Sequence, residues 1–366
     1  MNLINTVQDL INFKTITGNI AEIDLCLDYI KSKAQSFGAY VDIHRFENAS
    51  PVIIATNTKE QNFDVLILGH IDVVPAENHM FTPIIKDGKM FGRGTLDMKS
   101  FVAVALNSLQ YVLKNQLNIK FGFIFSTDEE TGSKSTKAFL EKHPDLSAKI
   151  VLDNDVGGNI YKIITRCKNP VFIKIKSRGL AAHGSTPWDG VDANENLFKV
   201  WQNIRKIYPS FSIEVKPTNT WIDTVHFAKI NGGNVANIIA DEAEALLDFR
   251  LVDTSSLKEL CSNLDDCMVK GVSYEVVSSS TPVVMDENNI YIQKYKQYAE
   301  SILNSSIEFE YIGGATDSRE FAEKGSVVIM HSGTGNGMHS SEEYINLDSI
   351  EQIAKIQIGF LNNLIS

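Results

Sequence analysis

The sequence predicts an α/β protein of two domains: an αβα domain built on a central sheet, and a ferredoxin-like α+β unit inserted into it. Three observations carry this reading. Two strongly apolar runs, Val65-Leu66-Ile67-Leu68-Gly69 and Phe121-Gly122-Phe123-Ile124-Phe125, read as strands of a sheet covered on both faces. Near Pro170 the texture changes to alternation, Val171-Phe172-Ile173-Lys174-Ile175-Lys176, as in a half-exposed antiparallel strand. At 366 residues, the chain also exceeds the size at which a single core keeps growing.

Leu3, Val7, Leu10 and Ile11 recur at helical spacing, and a second helix over 21–37 has Gly38 as its stop signal. Short strands over 41–46 and 52–55 precede the buried strand ending at His70. The segment 101–113 is apolar on nearly all sides, which suits a helix packed inside the domain. A strand ending at Thr127, a helix over 135–141 and the strand Ile150-Val151-Leu152 complete a β/α alternation.

Beyond the alternating strand and the turn-rich stretch 184–194, a helix uses Leu197, Val200, Ile204 and Ile207. Strands over 223–230 and 243–249, a helix over 257–264 and a strand over 272–277 give the order β-α-β-β-α-β, that of a ferredoxin-like unit. Ser278-Ser279-Ser280-Thr281-Pro282 reads as the return linker, and a last helix through Ile350, Ile353, Phe360, Leu361 and Leu364 rejoins the first domain. The expected boundaries are 1–168 with 281–366 for the first domain and 169–280 for the insertion.

Composition narrows the function classes. Hydrophobic residues at 43% and charged residues at 22% describe an ordinary globular protein, and no apolar stretch approaches the ~18–20 residues that span a bilayer. The N-terminus lacks the basic region and cleavage site of a signal peptide, so the cytoplasm is the expected compartment. A net charge of −11 argues against a nucleic-acid partner, which would call for a lysine and arginine surplus. Cys26, Cys167, Cys261 and Cys267 form no Cys-x-x-Cys pair and are expected as reduced, mostly buried thiols.

Metal-seeking side chains gather where apolar runs break into polar turns: His70-Ile71-Asp72, Asp97, Asp128-Glu129-Glu130 and His339. In open α/β sheets, ligands bind beyond the carboxyl ends of the strands, where several of these fall. Asp72 stands where it can tie down the second nitrogen of a metal-bound His70. Asp97 follows paired glycines in Gly92-Arg93-Gly94-Thr95-Leu96-Asp97-Met98-Lys99, and one carboxylate can bridge two metals. The acidic run would be costly at a buried strand end unless a cation neutralised it. Within it, one glutamate can bind metal while its neighbour serves as general base. Taken singly, these motifs also suit a strand-end histidine, a helix-entry aspartate and a solvated acidic loop.

Together, and in order, these motifs resemble the dinuclear zinc metallopeptidases that include succinyl-diaminopimelate desuccinylase, acetylornithine deacetylase, aminoacylase and carboxypeptidase G. Further matching stretches are Ala182-His183-Gly184-Ser185-Thr186-Pro187, Gly232-Gly233 with Asn237-Ile238-Ile239, and Asp248-Phe249-Arg250. Gly313-Gly314-Ala315-Thr316-Asp317-Ser318-Arg319 and His339-Ser340-Ser341-Glu342-Glu343 complete the series. The resemblance implies a zinc-peptidase-like αβα catalytic domain with a mixed sheet and an inserted lid and dimerisation domain. It implies one zinc on His70, Asp97 and a further carboxylate, and a second on Asp97, Glu130 and His339, with cobalt or manganese as substitutes. The further carboxylate is Asp155 or Asp153; the register counted from Ile150 favours Asp155.

Glu129 matches the general base that activates a metal-bridged water, and Asp72 and His183 complete the implied catalytic set. His183 would cross a homodimer interface and donate to the oxyanion. Asn237, Arg250, Thr316 and Arg319 match positions that bind the substrate carboxylate or support the site. Asp317 is expected to orient Arg319. The implied activity is zinc-dependent hydrolysis of amide bonds in N-acyl amino acids, with a dipeptidase or carboxypeptidase as the alternative. A catalytically silent binding or dimerisation protein on the same scaffold is the rival from another class, and the full ligand set with Glu129 weighs against it. His44, His79, His143, His226 and His331 are expected to lie outside the chemistry.

Overall fold

In the computed structural model, which describes residues 1–209, 211–212 and 216–364, the first helix opens at Asn2, whose side chain accepts the Asn5 N–H. Helix α1 (Leu3–Asn12) buries Val7, Leu10 and Ile11. Helix α2 (Ile20–Ser36) ends at Phe37, followed by Gly38 with a left-handed φ of 92°. Then come β1 (Tyr40–His44), β2 (Val52–Thr56), β3 (Asn62–His70) and the hairpin β4 (Ile84–Lys86) with β5 (Lys89–Phe91). Helix α3 (Lys99–Lys114), β6 (Phe121–Ser126), α4 (Lys134–Lys142), β7 (Ser147–Asp153) and β8 (Lys162–Cys167) follow.

Next are β9 (Asn169–Arg178), α5 (Ala193–Ile207), β10 (Thr224–Gly232), β11 (Glu242–Leu251), α6 (Leu257–Cys267) and β12 (Val272–Ser279). The chain returns through β13 (Val283–Val284), α7 (Ile290–Leu303), β14 (Glu308–Ile312), α8 (Arg319–Glu323) and β15 (Val327–Met330). It finishes with β16 (Gly335–Asn336), β17 (Tyr344–Asn346) and α9 (Leu347–Asn363). Two compact units result, one of residues 1–165, 285–310 and 316–366, the other of 166–284 and 311–315.

The first unit holds a mixed sheet with the order β1-β2-β6-β3-β7-β15-β8. Its centre, β6-β3-β7-β15, is parallel, while β1, β2 and β8 pair antiparallel. Val65 and Ile67, Phe121, Phe123 and Phe125, and Ile150 and Leu152 join one core with α1, α2, α3 and α9. Alternate residues Leu66, Leu68, Ile124 and Val151 are buried too, so the opposite face is also covered; α4 contacts β2 there, and α8 contacts β7 and β15. This is the αβα arrangement, and it explains why these strands read as unbroken apolar runs. Because β3, β6 and β7 are parallel, His70, Asp128 and Asp153 all fall at one edge of the sheet. A small separate sheet has the order β16-β17-β5-β4.

The second unit is a four-stranded antiparallel sheet with the order β10-β11-β9-β12. Val171, Ile173 and Ile175 of β9 share a core with Leu197, Val200 and Ile204 of α5 and with Leu260 and Leu264 of α6. Alternation in the sequence therefore becomes one buried sheet face under two helices, the ferredoxin-like plan. The strand β12 runs on to Ser279, so part of the serine-rich stretch expected as linker is paired with β9. No helix among the described residues is long and apolar enough to cross a membrane.

Candidate metal centre

Two ligand groups meet at the carboxyl edge of the parallel strands. His70, Asp97 and Asp155 form one, and Asp97, Glu130 and His339 the other, each with ligand atoms within 4.8 Å of one another. Asp97 belongs to both. Its Oδ1 lies 3.0 Å from His70 Nε2 and its Oδ2 2.9 Å from His339 Nε2. His70 Nε2 also faces Asp155 Oδ2 at 3.7 Å, and His339 Nε2 faces Glu130 Oε2 at 3.1 Å. The other oxygen of Glu130, Oε1, is buried and has no hydrogen-bond partner among the described residues. An orphaned buried carboxylate oxygen beside two imidazoles fits a divalent cation, and the mixed nitrogen and oxygen donor set suits zinc.

Several of these side chains are held from behind. Asp72 is fully buried; its Oδ1 lies 3.4 Å from His70 Nδ1, which also contacts the Asp72 backbone oxygen at 3.0 Å. The same carboxylate accepts the N–H groups of Glu129 (3.1 Å) and Glu130 (3.3 Å) and the Thr17 hydroxyl (2.7 Å). One aspartate thus orients a histidine and fixes the acidic turn. Asp128 does not face the ligand groups: it caps the start of α4, accepting the Ser135 N–H at 3.1 Å and the Ser135 hydroxyl. Of the two carboxylates that the sequence left open, Asp155 stands with His70 and Asp97. Asp153 instead accepts the Thr316 hydroxyl and the Asp155 N–H.

One further buried acid, to which the sequence assigned no role, stands behind Asp97. Glu343 Oε1 accepts the N–H groups of Gly94 (3.0 Å), Leu96 (2.9 Å) and Asp97 (3.2 Å), and Oε2 pairs with the Arg93 guanidinium. Gly94, with φ of 85°, occupies backbone space that other residues rarely adopt. Membership of Glu343 in a matching motif was the only signal in the sequence; nothing there pairs it with residues some 250 positions earlier. His339 itself has φ of 62°, an uncommon conformation for a residue with a side chain.

Burial and mutual charge set the protonation of the cluster. Burial, then the nearby Asp97 charge, pushes Asp155 up to about 6 and Glu130 up to about 7. Burial, then Asp155, raises Glu129 well above the usual range. Burial would raise Asp97 as well, but hydrogen bonds from His339 and His70 outweigh it and hold this carboxyl low. Burial opposes charging of His70, yet Asp155, Asp72 and Asp97 outweigh it and raise that imidazole well above its ordinary value.

Metal ligation requires ionised carboxylates and neutral imidazoles, so binding must displace these protons. Zinc added to the metal-free chain is expected to release more protons at pH 6 than at pH 8, where Asp155 and Glu130 are already largely ionised. Titration calorimetry in buffers of different ionisation enthalpy measures this, and equal release at the two pH values would contradict it. Both carboxyl shifts are upward. Their contribution to the stability of the metal-free fold is therefore present at acid pH and lost as pH rises through about 6 to 7.

The remaining sequence candidates divide between the units. Thr316 is buried on Asp153, and Arg319 Nε donates to the Thr316 oxygen at 2.8 Å. Asp317, expected beside Arg319, accepts the Thr136 hydroxyl at 2.6 Å. In the second unit, the loop of His183 pairs with the segment of Asn237: Gly184 N–H donates to the Asn237 oxygen and Ile239 N–H to the Ala182 oxygen, both at 2.8 Å. His183 is exposed, with Nδ1 2.7 Å from the Ser185 hydroxyl. Arg250 grips Asp248 of its own strand through Nε (2.8 Å) and Nη2 (3.0 Å). His331 is buried between the Ile160 oxygen and the Tyr295 hydroxyl, where burial lowers its pKa to about 4.

The sequence profile of Peptidase family M20/M25/M40 matches residues 66–363. The chain belongs to this family. As an M20 protein it is a hydrolase of amide bonds. It is 26% identical over 399 aligned residues to succinyl-diaminopimelate desuccinylase of Rickettsia felis, with 99% of this chain and 100% of that relative covered. An M20 family metallo-carboxypeptidase from Sulfolobus solfataricus shares the fold at a TM-score of 0.80 and 18% identity, covering 99% of this chain and 98% of that one. A dinuclear metal-binding M20 peptidase from Bacillus subtilis does so at 0.71 and 14%, covering 98% and 97%.

Proposed function

We propose that this chain is a cytoplasmic zinc-dependent hydrolase of N-acyl amino acids, of deacetylase or desuccinylase type. One observation carries the reading: the two oxygens of Asp97 reach the two histidines of separate ligand groups, as a bridging carboxylate must. The groups on His70, Asp97 and Asp155 and on Asp97, Glu130 and His339 would each hold a zinc ion. When bound there, such cations would supply Lewis-acid polarisation of a carbonyl and a bound water with a pKa lowered toward ~7.

The chain supplies the remainder. Asp72 orients His70 and anchors the turn that presents Glu129. Glu129 takes the proton from the attacking water and hands it to the leaving amine nitrogen. His183 of a partner subunit, in a homodimer formed through the inserted unit, donates to the oxyanion as the carbonyl carbon becomes tetrahedral. Asn237, Arg250, Thr316 and Arg319 would bind the substrate carboxylate or support the site; Arg250 is engaged by Asp248, and Thr316 by Asp153.

End-to-end similarity to a desuccinylase favours a deacylase over a peptidase. The test is a hydrolysis screen of N-succinyl and N-acetyl amino acids and dipeptides with zinc, cobalt or manganese. Faster turnover of dipeptides would replace the deacylase reading with the peptidase one. A metal-free protein inactive on all of them would support the silent scaffold.

The role of His183 has its own test. His183→Ala and Glu129→Ala homodimers should each be nearly inactive. Subunit exchange then gives mixed dimers in which one site keeps both an intact Glu129 and a partner His183. Activity should return at one site per mixed dimer. Verified mixed dimers as inactive as their parents would remove His183 from the partner's site.

A further inference from the structure

We infer that Glu343 is a positioning residue for the metal centre, the group that sets the Asp97 carboxylate where both ligand groups can share it. The inference rests on the two-metal reading above. Pairing of β17 with β5, Tyr344 opposite Phe91, brings Glu343 alongside the loop that follows β5. The Glu343 backbone oxygen accepts the Gly92 N–H at 3.1 Å, and its fully buried carboxylate enters the turn 92–97. There Oε1 gathers three N–H groups, the last of them on Asp97 itself.

Three backbone donors converging on one oxygen favour a charged acceptor, and Arg93 balances that charge on the other oxygen. Glu343 also follows His339 by four residues on the same returning segment. One side chain therefore ties the segment bearing the second group's histidine to the loop bearing the shared aspartate. In Glu343→Gln, the amide oxygen can still meet the N–H groups, but its NH2 then faces the Arg93 guanidinium, donor against donor. In Glu343→Asp, the charge is kept but withdrawn by one methylene. Both changes should let the loop shift and move Asp97 relative to the two histidines.

The expected result is that both metal equivalents weaken together, each by about 10–100-fold, as for partners that orient metal ligands. Equilibrium dialysis with zinc measures the affinities, the absorption spectrum of the cobalt-loaded protein reports the ligand geometry, and His339→Ala is the control for loss of one equivalent. Adding Arg93→Met to Glu343→Gln removes the opposed donor and should recover part of the affinity. Unchanged affinities and cobalt spectrum in folded variants, with only a lower melting temperature, would overturn the inference. So would weakening confined to the equivalent lost in His339→Ala. Failure of both single variants to fold even in saturating zinc would also overturn it, making Glu343 a scaffold residue. If the unaltered chain binds fewer than two equivalents, the two-metal reading fails instead, whatever Glu343 does.

Discussion

Glu129→Gln should fold and retain its metal yet lose about 10²–10⁴-fold in turnover, the contribution of a positioned general base. Glu129 lies in neither ligand group, and it is its backbone N–H, not its side chain, that Asp72 holds. The amide keeps the shape and removes only the capacity to take a proton. In the metal-free chain, burial and then Asp155 raise this carboxyl well above its usual range. Metal content measured beside kcat makes the result decisive: a variant with full metal and nearly full turnover would remove Glu129 from the chemistry. Glu130→Gln should instead lose metal first, because Glu130 stands against His339 with its second oxygen unpartnered. Exchanged phenotypes would mean that the acidic run is read one residue out of register.

What the sequence disclosed follows the range of the forces involved. β3 and β6 were legible because both faces of the sheet are covered, so successive positions such as Val65–Leu68 and Phe123–Phe125 are apolar. The second unit was legible for the opposite reason: a single buried face leaves the period-two pattern of Val171, Ile173 and Ile175. The hairpin of β4 and β5 and the return segment with α7, β14 and α8 carried no such signature, and β15, though apolar, is only four residues long. They are short, or, as α7 with Ile292, Tyr295 and Ala299, bury only a thin stripe. The candidate ligands could be named because strand ends and glycine turns place suitable side chains locally and the family resemblance assigns them a role. Of the groups behind them, Asp72 was legible because it stands two residues from His70. Thr17 on Asp72 and Glu343 on the Asp97 loop were not, since they act across 55 and 250 residues of chain.

Asp97→Ala should abolish high-affinity binding of both metal equivalents, whereas His339→Ala should lose mainly one. The asymmetry comes from the shared carboxylate: Oδ1 serves the His70 group and Oδ2 the His339 group, while each histidine serves only its own. Removing Asp97 also leaves Asp155 and Glu130 without the negative neighbour that raises them, so the two acids should ionise at lower pH in the variant. Easier ionisation would by itself improve metal binding. Geometry opposes it: without the bridge, each group keeps one histidine and one carboxylate, two ligands where a structural or catalytic zinc site uses three or four. The loss of a ligand should therefore dominate, and turnover should vanish with the metal. Stoichiometry by elemental analysis after reconstitution decides between the cases. An Asp97→Ala protein that still binds one equivalent as tightly as the unaltered chain would show that this carboxylate does not bridge. The two groups would then be independent sites, and the two-metal mechanism would fall with the bridge.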